Sequence, residues 1–366
     1  MEDKRRARRA KQVRRDARRA KKRDIQNATL SDFVRRALVR GHPVYLLDLA
    51  SRVFRVVQQD AGRLNNILTH LIGDRNRETT ALLAVLAELL DDEPAAQLRC
   101  REELAGRDEQ VPQWIPALSQ VDVYRAVRRS DVLGDADVIV LGARIDGEHE
   151  LTVVVWIDHT TLSGIADAGV VPKPIDKFLA RVTERSIDTD VVEMSLADAR
   201  AWIENALTKP TFAPETERWP LYRALVQWLV RRLPEGGEHR WQAMDWPEVE
   251  ELCDRFFATD SAAPFTDSGH RELLLELLDD VRDPLRWSAA RVEHAIGSAH
   301  QYDWIPLEVA LDAPDLLRAF IPFAHAQSGI RDELTLRVLA GVDALRSSYK
   351  REVLKEAEYW GYLDAG

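Results

Sequence analysis

Cysteine is scarce in this sequence. Its 366 residues include two, Cys100 and Cys253, which lie far apart in patterns typical of helices. A pair so spaced provides neither a disulfide framework nor the ligand spacing of a cysteine-based zinc site. We therefore expect no disulfide and no cysteine-based metal site. The sequence also gives no pattern from which a metal or a cofactor would be predicted, and the cytoplasm is the default location.

Long apolar runs are also missing. The longest wholly apolar run, residues 81–87, is far shorter than the ~20 residues that a helix needs to cross a bilayer. Residues 1–23 are basic, and no apolar segment typical of a secretory signal follows them. The sequence therefore predicts no membrane partner.

Several catalytic signatures are absent from the chain. No His-Glu-x-x-His, Gly-x-Ser-x-Gly, Walker or glycine-rich dinucleotide pattern occurs. These absences disfavour the common hydrolase, NTPase and dehydrogenase classes. An unusual enzyme stays open, as does a protein without catalytic activity.

What the sequence does contain is a sharp separation of charge. Residues 1–23 hold thirteen Lys or Arg against three Asp or Glu, a net charge of +10. The rest of the chain holds 38 basic and 58 acidic residues, a net charge of −20. The apolar stripe of the basic segment consists of alanines and one valine, too little to bind a core. We therefore expect residues 1–28 to form a basic flexible arm.

A cationic arm of this kind is expected to bind polyanions, with nucleic acid or the ribosome first among them. Its contacts to phosphates would be sensitive to salt and nearly independent of sequence, because they release counterions without reading bases. Two alternatives stay open: the arm docks on its own acidic body or on another protein, or it is a solubilising tail without a partner. The candidate nucleic-acid-binding residues are Arg5, Arg6, Arg8, Arg9, Arg14, Arg15, Arg18, Arg19, Lys21, Lys22 and Arg23.

Hydrophobic patterning divides the rest of the chain into three regions. Residues 29–110 indicate a helical bundle, with Thr29 or Ser31 as its first N-cap and the apolar helix 81–90 at its centre. Residues 111–209 have an α+β pattern, and residues 210–366 are helical again after a proline-containing linker at 209–220. The expected fold class is α+β, mostly α, with a helical N-terminal bundle, a central antiparallel β-meander with helices, and a helical C-terminal bundle.

The clearest local structure is a β-hairpin. Residues 137–145 and 150–158 have strand patterns, and Asp146-Gly147 between them favours a type I′ turn. Further strands are expected at 121–129 and 191–194, with helices at 175–184 and 196–207. The resulting order βββαβα predicts helices packed on one face of a mostly antiparallel sheet.

Several segments scattered over the chain resemble one known family. They are HPVYLLDLAS (42–51), RETTALLA (77–84), VVWIDH (154–159), DPLRWS (283–288) and FAHAQSGI (323–330). These segments are similar to an uncharacterised family of actinobacterial proteins that has no assigned activity. The resemblance implies a bacterial, cytoplasmic setting and supplies no catalytic residue.

The most specific site hypothesis concerns Asp158 and His159, at the end of the second hairpin strand. Such a pair can bind a metal or act as an acid–base couple when the two side chains converge. Strict alternation points them to opposite faces, so they act together only if the chain turns at residue 158. The alternative is that Asp158 caps the following turn and His159 is a solvated or hydrogen-bonded loop residue. The hairpin-end residues available as partners are Asp135, Asp137, Glu148 and His149.

Other histidines and the tryptophans give weaker hypotheses. His294 and His300 are six residues apart, which is wrong for two ligands on one helix face, and His325 is expected to pack in its helix or to be partly exposed. Seven of the ten tryptophans follow residue 218, which predicts either an aromatic groove or anchors for helix packing, the second being the more common role.

Together these patterns favour a non-catalytic interaction or regulatory protein. Its arm would bind nucleic acid non-specifically, and its folded body would bind a protein partner. The second hypothesis is an enzyme or small-ligand sensor with a site near Asp158 and His159, at the end of the central sheet.

Overall fold

A computed structural model describes residues 29–359, except 59–60, 161, 185–187, 211–217, 241–243, 280, 282 and 299–303. In this part of the chain, helices precede and follow one antiparallel sheet, so the predicted fold class, α+β and mostly α, is confirmed. The N-terminal helices α1 to α5 are Leu30–Val39, Pro43–Gln58, Ala61–Gly73, Arg77–Leu89 and Pro94–Ala105.

The sheet has five strands among the described residues, in the spatial order β4-β3-β2-β1-β5. All neighbouring strands pair antiparallel. Helix α6, Ile175–Thr183, connects β4 to β5, and α7, Leu196–Leu207, follows β5. Strands β1 to β5 are Asp122–Asp131, Ala136–Ile145, His149–Asp158, Ile165–Val171 and Thr189–Met194.

The predicted hairpin forms the centre of this sheet. Strands β2 and β3 pair from Ala136 opposite Asp158 to Ile145 opposite His149. Asp146 and Gly147 have φ angles of 52° and 78°, the left-handed pair that a type I′ turn requires. The fourth strand in sequence, β4, was not predicted, because its sequence IADAGVV contains Asp and Gly, which are poor strand formers.

Helices cover both faces of the sheet. Ile139 and Leu141 of β2 pack into the core that the N-terminal helices and α7 share. Val138 and Val140 face the other way and pack against α6. The expectation that helices lie on one face is therefore wrong. A strand with only one covered face shows alternating burial. Strand β2 is instead buried almost continuously, because apolar residues on both of its faces pack against helices.

The C-terminal region is helical throughout its described part. The first apolar core extends from Val34 to Leu233 and therefore includes α8, whereas a second core extends from Val249 to Val353. The predicted domain boundaries stay predictions, because shared burial does not decide which segments fold independently. Helices α8 to α14 are Trp219–Val230, Trp246–Phe257, Ser268–Asp279, Ala289–Ile296, Leu307–Ala310, Ala313–Gln327 and Asp332–Tyr359. The apolar spacing of Leu334, Val338 and Val342 predicts one helix, and residues 349–359 predict another. The structure joins both in α14, which has 28 residues.

Most of the expected helix signals are confirmed. Thr29 caps α1 in a capping box with Asp32, and Ser195 caps α7 by accepting a hydrogen bond from the Asp198 amide. Helix α4 is buried on nearly all sides. Of the C-terminal tryptophans, Trp219, Trp228 and Trp287 are buried, Trp246 and Trp304 are exposed, and Trp241 and Trp360 lie outside the described residues.

Candidate functional site

The candidate site lies where β3 ends. Asp158 pairs with Ala136 at the start of β2, and the chain then turns back towards β4 at Ile165. The His159 amide donates to the Asp135 carbonyl at 2.7 Å, which fixes the start of this turn on the β1–β2 loop. The chain thus turns at residue 158, which is the condition that the sequence sets for Asp158 and His159 to act together.

His159 is buried, at 3% exposure, and both of its ring nitrogens have partners. Nε2 lies 2.9 Å from Oδ2 of Asp137, and Nδ1 lies 3.0 Å from Oγ of Ser163. The Ser130 hydroxyl donates to the other carboxylate oxygen of Asp137. Ser130, Asp137, His159 and Ser163 therefore form one chain of hydrogen bonds, which we call the His159 relay.

The electrostatics of the relay follow from Asp137. Burial by itself raises the pKa of this carboxyl group, but the hydrogen bonds from His159 and Ser130 outweigh burial and lower the pKa below its ordinary value. Asp137 is therefore a carboxylate that accepts the Nε2–H of His159. In the neutral imidazole, Nδ1 then accepts from the Ser163 hydroxyl.

Ser163 closes the relay in a strained conformation. Its φ of 62° lies in the left-handed region, which costs a non-glycine residue roughly 1 kcal/mol or more. Serine, histidine and aspartate are also the residue types of a hydrolase triad. Here, however, Ser163 is itself buried and does not line the adjacent pocket, so the geometry favours a positioning role over nucleophilic attack.

Asp158 takes no part in the relay. Its Oδ1 accepts from the Thr160 amide at 2.9 Å and from the Thr160 hydroxyl at 2.7 Å, so it caps the turn. The two residues singled out by the sequence are therefore adjacent in the chain but not partners in space. Of the four possible partners, Asp137 contacts His159 with its side chain and Asp135 with its backbone. Glu148 and His149 lie at the opposite end of the hairpin.

An open pocket of about 670 Å³ lies beside the relay and is lined by Ser130, Asp137 and His159. One wall of the pocket is a loop of the C-terminal region that contains Arg286. Arg286 donates a hydrogen bond to the Val132 carbonyl at 2.7 Å and so holds this loop against the sheet. The lining is polar and carries both signs of charge. Its further charged residues are Arg128, Arg240, Arg286, Asp131, Asp190 and Asp283.

The loop between β1 and β2 is held by a buried arginine. Arg291 donates to the Gly134 carbonyl at 2.7 Å and lies 3.5 Å from the Asp135 carboxylate. Burial raises the pKa of Asp135 and lowers the pKa of Arg291. The two shifts have one cause, which is that the C-terminal region closes over this end of the sheet.

A second pocket, of about 560 Å³, lies between α1 and α2. The Arg36 guanidinium lies 5.8 Å from the ring centre of Phe33, and that of Arg40 lies 4.6 Å from the ring centre of Tyr45. Neither arginine forms an ion pair with another described residue. This α1–α2 groove therefore presents two arginines next to aromatic rings.

Other predicted site residues have separate positions. The candidate arm residues, from Arg5 to Arg23, lie outside the described part of the chain, as does His300. His294 is exposed near the end of α11. His325 is buried, with Nδ1 2.8 Å from Oγ1 of Thr335, which confirms its packing role.

The described residues contain no group of three or more His, Cys, Asp or Glu side chains that could hold a metal ion. Their helices also include none that is long and apolar enough to span a membrane. Comparison with known proteins found no matching family model, no matching curated protein and no matching solved structure. The resemblance to an actinobacterial family stays a prediction.

Proposed function

We propose that this protein is a non-catalytic interaction protein that is tethered to nucleic acid by its basic arm. The observation that carries the proposal is the charge separation, +10 in residues 1–23 against −20 in the rest of the chain. Phosphate backbones attract the arm, and the acidic body opposes broad engagement of the same polymer. The body is left to bind a protein partner.

The α1–α2 groove supports this proposal. Helix α1 begins at Leu30, directly after the arm, and carries Arg36 and Arg40. A nucleic-acid strand that extends beyond the arm would therefore meet further arginines and aromatic rings on the body. The positive charge of the groove also opposes docking of the arm in it.

Charge-matched variants of the arm test the proposal. Replacing Arg14, Arg15, Arg18 and Arg19 by glutamine removes four cations, whereas replacing them by lysine keeps the charge. If all four contact phosphates, the slope of log K against log salt falls by roughly 3 to 4 for the glutamine variant and is unchanged for the lysine variant. Fluorescence anisotropy with RNA and DNA oligomers of unrelated sequence measures both. Equal slopes for the two variants, or strong preference for one sequence, would contradict non-specific tethering.

The second candidate function is a small-ligand sensor or enzyme with its site in the pocket beside the His159 relay. The observation that favours it is a buried His159–Asp137 pair that lines an open, polar pocket. A carboxylate that orients an imidazole is a common arrangement for moving a proton. Such a ligand would have polar groups able to meet both arginines and aspartates.

Native mass spectrometry distinguishes this second function from the first. We expect a retained small molecule in the intact protein that is lost from His159→Gln and from Asp137→Asn. Asp158→Asn is the matched control, because Asp158 lies next to His159 in the chain but outside the relay, and this variant should keep the ligand. If the intact protein carries no small molecule, or if all three variants retain it, the second function is contradicted and the tethering function is the one that stands.

A further inference from the structure

We infer that Arg129 anchors a second binding site, for an oxyanion carried on a planar apolar group, on the face of the sheet opposite the His159 relay. Arg129 lies in β1, where it pairs with Val138 of β2 and Val191 of β5. It shares a face with Val127, the face that α6 covers. Ser130, the next residue, points to the opposite face and belongs to the relay.

Arg129 is buried and has no hydrogen-bond or ion-pair partner among the described residues. Its exposure is 8%, its Nε is enclosed without a hydrogen bond, and it forms no ion pair with any described residue. Burial alone lowers its pKa, with no contribution from a neighbouring carboxylate. An unpaired buried charge is costly to a protein and is rare without a functional reason.

The other strongly buried arginines of the described chain are well satisfied. The side chain of Arg107 is fully buried and donates to Glu103 at 2.9 Å, to Thr80 at 2.9 Å and to the Leu71 carbonyl at 2.7 Å. Arg291 likewise donates to backbone carbonyls and lies near a carboxylate. Arg129 therefore differs from these two arginines, because no carboxylate or carbonyl group of a described residue accepts a hydrogen bond from its Nε.

Nearby carboxylates do not supply that anion. Glu193 of β5 lies opposite Val127 on the same face, but it pairs with Arg125. Asp167 of β4, farther along the row of Arg129, pairs with Arg218. Both acids are thus engaged by other cations, and the guanidinium of Arg129 stays available.

Exposed apolar side chains lie in the same row of the sheet. Val191, Arg129, Val138 and Trp156 pair in succession across β5, β1, β2 and β3, so their side chains share one face. Trp156 is 48% exposed and Val191 is 45% exposed. With neighbouring strands about 4.8 Å apart, the Cα atoms of Arg129 and Trp156 are about 10 Å apart. This spacing suits a small aromatic acid whose ring contacts Trp156 while its oxyanion meets Arg129.

The guanidinium fork binds carboxylates and phosphates alike, so the inferred chemistry is that of an oxyanion. Phenylacetate and phenyl phosphate are the probes that separate these two sources. Isothermal titration calorimetry on the intact protein should detect one of them or both. Acetate and inorganic phosphate, which lack the ring, should bind at least tenfold more weakly.

Arg129→Met is the decisive variant. We expect it to raise the melting temperature of the ligand-free protein, because an unpaired buried charge is replaced by an apolar side chain of similar length. We also expect it to weaken probe binding at least tenfold. Trp156→Ala should weaken binding of the ringed probes while leaving inorganic phosphate or acetate unchanged. Arg144→Met, which removes an arginine of β2 that pairs with Glu150 at the far end of the sheet, is the control and should leave probe affinity unchanged.

Three results would overturn the inference. The first is that the intact protein binds neither probe. The second is that Arg129→Met lowers the melting temperature and leaves probe affinity unchanged, which would make Arg129 a structural residue. If Arg129→Met does not fold, Arg129→Lys replaces it. The third result is that both Arg129→Lys and Trp156→Ala bind the probes with the affinity of the intact protein. None of these outcomes depends on the arm or on the His159 relay.

Discussion

At the scale of single residues, His159 and His325 are both buried, but in different surroundings. His159 lies beside a carboxylate and lines an open pocket, whereas His325 lies in the helical core of the C-terminal region. Nε2 of His325 is 3.1 Å from both the amide nitrogen and the carbonyl oxygen of Trp287. The first histidine therefore faces a pocket with a carboxylate as its partner, whereas the second packs in the core.

His325 gives stability a dependence on pH. Burial lowers its pKa, so the folded protein keeps the ring neutral at pH values where the unfolded chain binds a proton. The contribution of His325 to stability is therefore complete above the unfolded pKa of about 6.5 and is lost as pH falls towards the folded pKa. Denaturant unfolding at a series of pH values should show this as a slope in the free energy of unfolding. We expect a slope of up to about 1.4 kcal/mol per pH unit in the intact protein, and we expect it to be absent from His325→Gln.

The control for this measurement is His294→Gln. His294 is exposed in the last turn of α11, so this variant removes an imidazole without removing a buried side chain. An identical slope for His325→Gln and the intact protein below pH 6.5 would show that His325 does not titrate differently on folding.

Some of the site could be predicted from single residues. Alternation along β3 places His159 on the face of Ile157, and the hairpin register places Asp137 opposite Ile157, so the His159–Asp137 contact was within reach of the sequence. Ser163 was not, because its left-handed conformation arises in a turn whose path the sequence does not specify. Arg129 gave no signal either, since its burial depends on how helices cover the sheet.

At the scale of elements, the packing of α6 on the sheet depends on a glycine in β2. A Cβ added at Gly142 would lie 2.9 Å from Cγ2 of Ile175 and 3.0 Å from Cζ of Tyr124. Both neighbours would have to move, because these are closer than ordinary van der Waals contacts. Gly142 therefore permits the close approach of α6.

Gly142→Ala should lower the free energy of unfolding by about 1–3 kcal/mol through overpacking. Gly169→Ala in β4 is the matched control, because a Cβ there meets nothing within 4 Å and the site has no left-handed conformation. That control should be neutral or stabilising by up to about 1 kcal/mol. Chemical denaturation of both variants measures the difference in the free energy of unfolding. Equal stabilities would show that α6 accommodates the added methyl group without loss of stability.

Local sequence signals decide which helices and strands could be predicted. The hairpin has a turn dipeptide and strong alternation, and both act within a few residues of each other. Helix α14 was predicted in two parts because the polar stretch around Arg346 interrupts its apolar stripe, although no helix breaker is present there. Strand β4 depends on its partner β3, since a sequence with Asp167 and Gly169 has little preference for a strand by itself.

At the scale of the whole molecule, three features are spatially separate. The His159 relay and Arg129 lie on opposite faces of one sheet, and the α1–α2 groove lies on the N-terminal helices, which begin at Leu30. A protein arranged in this way can bind a polyanion with its arm and leave the body for other partners. The account depends most on the arm, since its charge defines the proposed function.

The most direct measurement compares the affinity of the intact chain for a generic RNA oligomer with that of a chain lacking residues 1–23. We expect the intact chain to bind at about 50 mM salt and, if 6–10 phosphates are contacted, to lose about 10³–10⁵ in affinity by about 200 mM. The truncated chain should show no binding at either concentration. Equal affinity of the two chains, or no binding by the intact chain at the lower salt concentration, would contradict the account.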